Sequence, residues 1–210
     1  THEIDLVGTG QPQAGGSPGT FVIVNSFGFN LGTQSKGMAL GDVDGDGDLD
    51  AFVVGFNGSD SDRVFLNQGG AQGGTPGDFQ DSGQSLPVTF SRNIFIASYN
   101  YVALGDVDGD GDLDAVVGNG NLDTPGDGAM SIIYLNQGGV QGGTEGVFAA
   151  SGQSLGRADV SVALFDLDAD GDLDAVTSNW SGGHTISINQ GGLQGGTEGV
   201  FVGSQTFGTR

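Results

Sequence analysis

The stretch GDVDGDGDLDA at residues 41–51 returns unchanged at 105–115, and a near copy, FDLDADGDLDA, occupies 165–175. Each copy packs five Asp into nine residues: Asp42, Asp44, Asp46, Asp48 and Asp50; Asp106, Asp108, Asp110, Asp112 and Asp114; Asp166, Asp168, Asp170, Asp172 and Asp174. Like charges this close repel one another in a compact fold, so three copies in fixed register ask for a counter-charge. The copies begin 64 and then 60 residues apart. A repeat of that length points to an array of similar supersecondary units.

A second signature alternates with the first. It reads LNQGGAQGGTPGDF at 66–79, LNQGGVQGGTEGVF at 135–148 and INQGGLQGGTEGVF at 188–201, with a worn copy, GQPQAGGSPGTF, at 10–21. After each Phe comes a third element: QDSGQSLP, AASGQSLG or VGSQTFG. Between these signatures lie short apolar runs. MAL, YVAL and SVAL precede the Asp loops, AFVVG, AVVG and AVTS follow them, and RVFLN, SIIYLN and TISIN precede the Gly-rich loops. Runs of four to six residues, rich in β-branched and aromatic side chains and bounded by Gly, Asn or Asp, are strand signals. No apolar stripe at helical spacing persists, so no helix of consequence is expected.

Four strands in each repeat, joined by turns, make a four-stranded antiparallel meander, and radial stacking of such sheets gives a β-propeller. The expected fold is therefore all-β, with about three and a half blades: a half blade (strands C and D) over 1–35, then blades over 36–98, 99–158 and 159–210, together one repeat domain. A solenoid of hairpins is the structural alternative. Small residues in the first strands, among them Gly41 and Gly105, suit a crowded centre. Three and a half blades do not close a ring, which leads to the expectation that the chain continues in a longer protein or associates with copies of itself. The opening THEIDLVGTG does not read as a signal peptide, which leaves a removed leader or a piece of something longer.

Composition narrows the partners. The formal net charge is −21, and 15 of the 26 acidic residues lie in the three clusters. Such a chain repels nucleic acid and anionic membrane and attracts cations. Gly is 43 of 210 residues, far above the usual ~7%, as a turn-rich chain requires. With no Cys, disulfides, thiol catalysis and Cys-based zinc sites are excluded. No apolar run reaches the ~18 residues of a membrane-spanning helix, so no membrane insertion is expected. Catalytic material is scarce: the two His, His2 and His184, have no motif neighbour, and the Asp residues are committed to metal. The expectation is that this is not an enzyme, although a calcium-assisted lyase or hydrolase stays open.

Numbered from its first Asp, each loop has Asp at positions 1, 3, 5, 7 and 9 and Gly at position 6 (Gly47, Gly111, Gly171). Calcium takes six to eight oxygen ligands, and carboxylates at 1, 3 and 5 with a carbonyl at 7 wrap one ion. One Ca2+ in each loop, three in all, is expected. Magnesium fits less well because it demands tight octahedral geometry and retains water. An EF-hand fits poorly too: position 12 holds Val53, Val117 or Thr177 where a Glu belongs, and strand-type runs flank the loop. Position 9 is expected to replace that Glu. Leu49 and its equivalents at position 8 are expected to anchor the loop in the core.

The combination of DVDGDGDLD, a following AVVGN-type strand and a period of about 60 residues resembles the FG-GAP or VCBS-type repeat, found in integrin α-subunit propellers and many bacterial extracellular proteins. The resemblance covers essentially the whole chain; the Gly-rich signature is longer than the short turn common between the last two strands. It implies a calcium-loaded propeller in an extracellular or cell-surface setting, without implying one activity, since the family includes adhesins, lectin-like binders and enzyme appendages.

In a meander the Asp loop and the Gly-rich loop share one face. The opposite face carries the B–C and D–A connections, which vary in length: the ninth-position Asp and the Asn of the Gly-rich signature lie 17, 22 and 15 residues apart. That face is a candidate glycan- or protein-binding surface, or else a set of drifting loops. Trp180 lies in one of these loops and Tyr99 and Tyr101 flank another, either as stacking platforms or as packing between blades. Asn57 and Asn179 stand in glycosylation sequons. GGxQGG lacks the Lys and the strand-to-helix setting of a phosphate cradle, so a structural role is expected. Two functions remain: a surface scaffold or adhesin that self-assembles, and a lectin-like binder.

Overall fold

The computed structural model describes residues 37–54, 62–86, 98–121, 131–156, 159–179 and 183–208. The expected half blade, Trp180, Asn57 and most of the B–C connections lie outside these residues, and the side chains of Tyr99 and Asn179 are not described.

Twelve strands form three four-stranded antiparallel sheets, each ordered as in the sequence. The first holds β1 (Gly37–Gly41), β2 (Asp50–Val54), β3 (Arg63–Asn67) and β4 (Phe79–Asp81). The second holds β5 (Ser98–Gly105), β6 (Asp114–Asn121), β7 (Ile132–Asn136) and β8 (Phe148–Ala150). The third holds β9 (Asp159–Phe165), β10 (Asp174–Asn179), β11 (Gly183–Asn189) and β12 (Phe201–Phe207). These are the blade-like meanders expected of the sequence, and the fold is all-β. The first strands lie side by side, β1 next to β5 and β5 next to β9. The only helical turns among the described residues are single 3-10 turns in the Gly-rich loops, at Gly70–Gln72, Gly139–Gln141 and Gly192–Gln194.

The core lies largely between blades. Strand β2 reads as an unbroken apolar run because both its faces are covered: Ala51, Phe52, Val53 and Val54 are all buried. Strands buried on both faces lose the alternation of a half-wet sheet. Phe52 meets Phe148 of the second blade edge to face, with ring centroids 5.2 Å apart, and tilts against Tyr134 at 6.0 Å. Val43, Val54 and Val64 join Ala115 and Val117 in the same cluster. A second cluster repeats this one blade further on, with Val107, Val116, Ile133 and Leu155 against Ala175.

Three polar and steric devices join neighbouring blades. Gln84, from the SGQSL segment of the first blade, donates Nε2–H to the Gly146 oxygen at 2.5 Å and accepts the Phe148 N–H at 2.8 Å. Gln153 does the same to Gly199 and Phe201 in the third blade, at 2.6 and 3.1 Å. Asn136 donates Nδ2–H to the Val43 oxygen, and Asn189 to the Val107 oxygen, each at 2.8 Å. The third device is a close approach. A Cβ on Gly41 would lie 2.7 Å from Leu113 Cδ1, and one on Gly105 would lie 2.8 Å from Leu173 Cδ1. The position-8 Leu of the second and third loops thus packs against the preceding blade, and Leu113 lies against the buried cluster that the first two blades share, the core anchor the sequence led us to expect. Gly41 and Gly105 are small to admit that Leu.

The third blade differs on the flank that would meet a further blade. Phe165 replaces Gly41 and Gly105 and is 56% exposed, and Leu167 replaces the buried Val43 and Val107. The SGQSL segment is missing; β12 instead runs on along β11 as far as Phe207.

Candidate metal centre

Each Asp loop connects the first two strands of its blade, with strands on both sides and no helix. The loop is shaped by its own carboxylates. At position 1, Asp42 Oδ2 accepts the Gly47 N–H at 3.0 Å, and Asp106 and Asp166 hold Gly111 and Gly171 in the same way. Those glycines sit at φ of 96°, 100° and 104°, a region open to Gly and closed to side chains. At position 5, Asp46 accepts the Asp48 N–H at 3.0 Å with Oδ1.

Position 9 has a role that the loop pattern alone did not disclose. Asp50 is fully buried, its Oδ2 accepting the Val43 N–H at 3.0 Å and its Oδ1 the Asn67 N–H at 2.8 Å. Asp114 bonds Val107 and Asn136, and Asp174 bonds Leu167 and Asn189, in the same pattern. The ninth Asp therefore ties the start of the Asp loop to the end of the third strand.

The Gly-rich loop lies on the same face, as the meander predicts, and it touches the Asp loop directly. Asp46 Oδ2 accepts the Ala71 N–H at 2.8 Å, and Asp170 Oδ2 the Leu193 N–H at 3.0 Å. Gln72, Gln141 and Gln194 donate their side-chain amides to Asp44, Asp108 and Asp168. A Cβ on Gly69 would collide with the Asp48 carboxylate, and one on Gly70 with that of Asp46; the paired glycines make room for acidic side chains. The Asn of the signature ties down the loop's far end: Asn67, Asn136 and Asn189 accept the N–H of Gly77, Gly146 and Gly199. The structural role expected for GGxQGG is thus a cradle for the Asp loop.

The carboxylates converge. Oxygens of Asp42, Asp44 and Asp50 lie within 4.8 Å of one another, as do those of Asp106, Asp108 and Asp114, and those of Asp166, Asp168 and Asp170. Asp42 Oδ1, Asp44 Oδ1 and Asp108 Oδ1 are buried without a hydrogen-bond partner. Buried acceptors left unpaired are costly and call for a bound species. Burial pushes the Asp50 and Asp114 carboxyls up to about 7 against the pull of their backbone donors. Burial and then the neighbouring Asp110 push Asp108 to about 6, and Asp44 is raised by burial and Asp46. In the third loop Asp168 is raised, by burial first and Asp170 next, while Asp170 is lowered: burial opposes this, but the N–H donors of Asp172 and Leu193 prevail. A set of hard oxygens that resist carrying their charge unaided fits a divalent cation, and it is compatible with calcium.

Residues 42–117 match the model of the FG-GAP-like repeat. That segment is an FG-GAP-type repeat. It takes in the first two Asp loops and the strands that follow them. The FG-GAP-like repeat is a structural or binding module, not known as an enzymatic one. No curated protein matches the chain. Among the described residues no helix is long and apolar enough to cross a membrane.

Proposed function

We propose that this chain is a calcium-loaded β-propeller module of an extracellular or cell-surface protein, serving as a scaffold or adhesive repeat and not as an enzyme. The observation that carries the reading is the convergence of three Asp carboxylates in each loop, with buried, partnerless oxygens among them in the first two. In this reading Asp42, Asp44, Asp46 and Asp50, with the carbonyl of Asp48, hold the first ion; Asp106, Asp108, Asp110 and Asp114, with that of Asp112, the second; Asp166, Asp168, Asp170 and Asp174, with that of Asp172, the third. Each ion turns mutual repulsion into attraction and locks the loop that carries the inter-blade contacts, so calcium supplies folding free energy. The FG-GAP match supports the module class. The exposed Phe165, Leu167, Val202 and Phe207 on the third blade support association with a further blade or another copy.

The test is calorimetric. Stripping calcium is expected to lower Tm by many degrees, and Asp42→Ala, Asp106→Ala and Asp166→Ala each to lose bound calcium at one loop. A Tm indifferent to calcium sinks the reading. The second reading, a lectin-like binder using the variable B–C and D–A connections, draws on their unequal lengths. Glycan-array hits from discrete single rings favour it; filaments without hits favour the scaffold.

A further inference from the structure

The position-7 carboxylates are not used by a one-ion loop, which takes only the main-chain oxygen there. Asp48 is 8% exposed, and neither of its carboxylate oxygens has a hydrogen-bond partner. Asp112 Oδ2 and both carboxylate oxygens of Asp172 also lack a partner, on side chains that are half-buried. In every blade this side chain lies against the Gly-rich loop. Asp48 abuts Gly69; Asp112 abuts Gly138; Asp172 Oδ2 lies 2.7 Å from the place of a Cβ on Gly191. The position-5 carboxylate abuts the next glycine, Gly70, Gly139 or Gly192. Two acidic side chains thus lie against one pair of glycines in each blade. In the second and third blades the Cγ of Glu145 and of Glu198 also packs against Gly138 and Gly191, while their carboxylates reach Gly45 and Gly109 of the preceding blade.

Among the described residues no protein cation answers these charges. Arg63 is the only Lys or Arg among the described residues, and it pairs with Asp81 at 2.9 Å. Five carboxylates around one divalent ion leave a net charge of −3 in each loop. A buried carboxylate with no donor and no counter-ion is among the costlier arrangements in a protein.

We propose that each blade holds a second divalent cation, between the Asp loop and the Gly-rich loop. Its ligands are the position-7 carboxylate (Asp48, Asp112 or Asp172) and the position-5 carboxylate (Asp46, Asp110 or Asp170), the latter shared with the first ion. The site accounts for the strict repetition of the Gly-rich signature beside the Asp loop: the glycine pair lets both carboxylates reach the Gly-rich loop, where the second ion pins one hairpin to the other.

The inference rests on the calcium reading, and the metal count separates the two. The metal-free chain is loaded with calcium chloride, desalted, and counted by native mass spectrometry and elemental analysis. Six ions per chain are expected, falling to three in the Asp48→Asn, Asp112→Asn, Asp172→Asn triple variant. Three ions in the wild type overturn the second site and leave the first reading standing; none overturns both. Should the triple variant fail to fold, crystals of the wild type soaked with manganese decide by anomalous scattering. Two peaks in each loop support the proposal, and one peak overturns it.

Discussion

The side-chain amide of Asn136 donates to the main-chain oxygen of Val43 at 2.8 Å, joining residues 93 positions apart and two blades. The same side chain accepts the Gly146 N–H at 2.9 Å, so one Asn fixes the Gly-rich loop of its own blade and the Asp loop of the preceding one. Asn136→Ala strands a buried donor and a buried acceptor. It is expected to cost about 2–3 kcal/mol, read as a lower midpoint in urea. A loss within experimental error would show that water replaces the amide.

The Gln153 clasp makes a second prediction. Gln153→Ala removes both bonds to the Gly199–Phe201 segment, for about 1–3 kcal/mol, while leaving the calcium count unchanged. Gln153→Glu is expected to fare little better, because a carboxylate accepts from Phe201 but cannot donate to the Gly199 oxygen. Equal stability of Gln153→Glu and wild type would dismiss the clasp.

Thr177 is fully buried where the other blades have Val53 and Val117, and its Oγ1 has no partner. Thr177→Val keeps the shape and removes an unpaired hydroxyl. It is expected to stabilise the chain by about 1–2 kcal/mol, raising Tm. A destabilised variant would show that the hydroxyl is bonded in solution.

The raised carboxyls set a pH dependence whose sign depends on calcium. Asp50 and Asp114 titrate at about 7, and Asp48, Asp108 and Asp172 at about 6, when no ion is bound. An unfolded Asp titrates near 3.9, so the folded ion-free chain takes up protons that the unfolded chain does not. Its stability is present at low pH and is lost as pH rises through about 6–7. Calcium competes with those protons. The gain in Tm on adding calcium to the stripped chain is therefore expected to be largest at pH 8 and to shrink towards pH 5. A gain of equal size at both ends would refute the assignment.

Much of this was legible in the sequence because its signals are local. MAL, AFVVG and RVFLN became β1, β2 and β3 because a short β-branched run between turn residues has few alternatives. The loop register followed from Asp spacing and from Gly47, whose φ excludes other residues. What stayed hidden depends on contacts between blades. SGQSL carries no mark that Gln84 reaches a backbone 62 positions away. Gly41 looked like a concession to a crowded centre, yet the crowding atom belongs to Leu113. Asp50 looked like a metal ligand alone, and its tie to Asn67 appeared only once β2 and β3 were paired.

The third blade alters the positions by which the first two hold their successors. Phe165 stands for the small Gly, Leu167 for the buried Val, and Ala169 for Gly45 and Gly109, against which Glu145 and Glu198 of the following blade press. Ala169 keeps φ at 62°, a strain the other loops avoid. The array is thus a directional copolymer and not a set of interchangeable cassettes. A chain lengthened by duplicating the second blade meets compatible ends on both sides, whereas one lengthened by duplicating the third forces Phe165 against an incoming Leu.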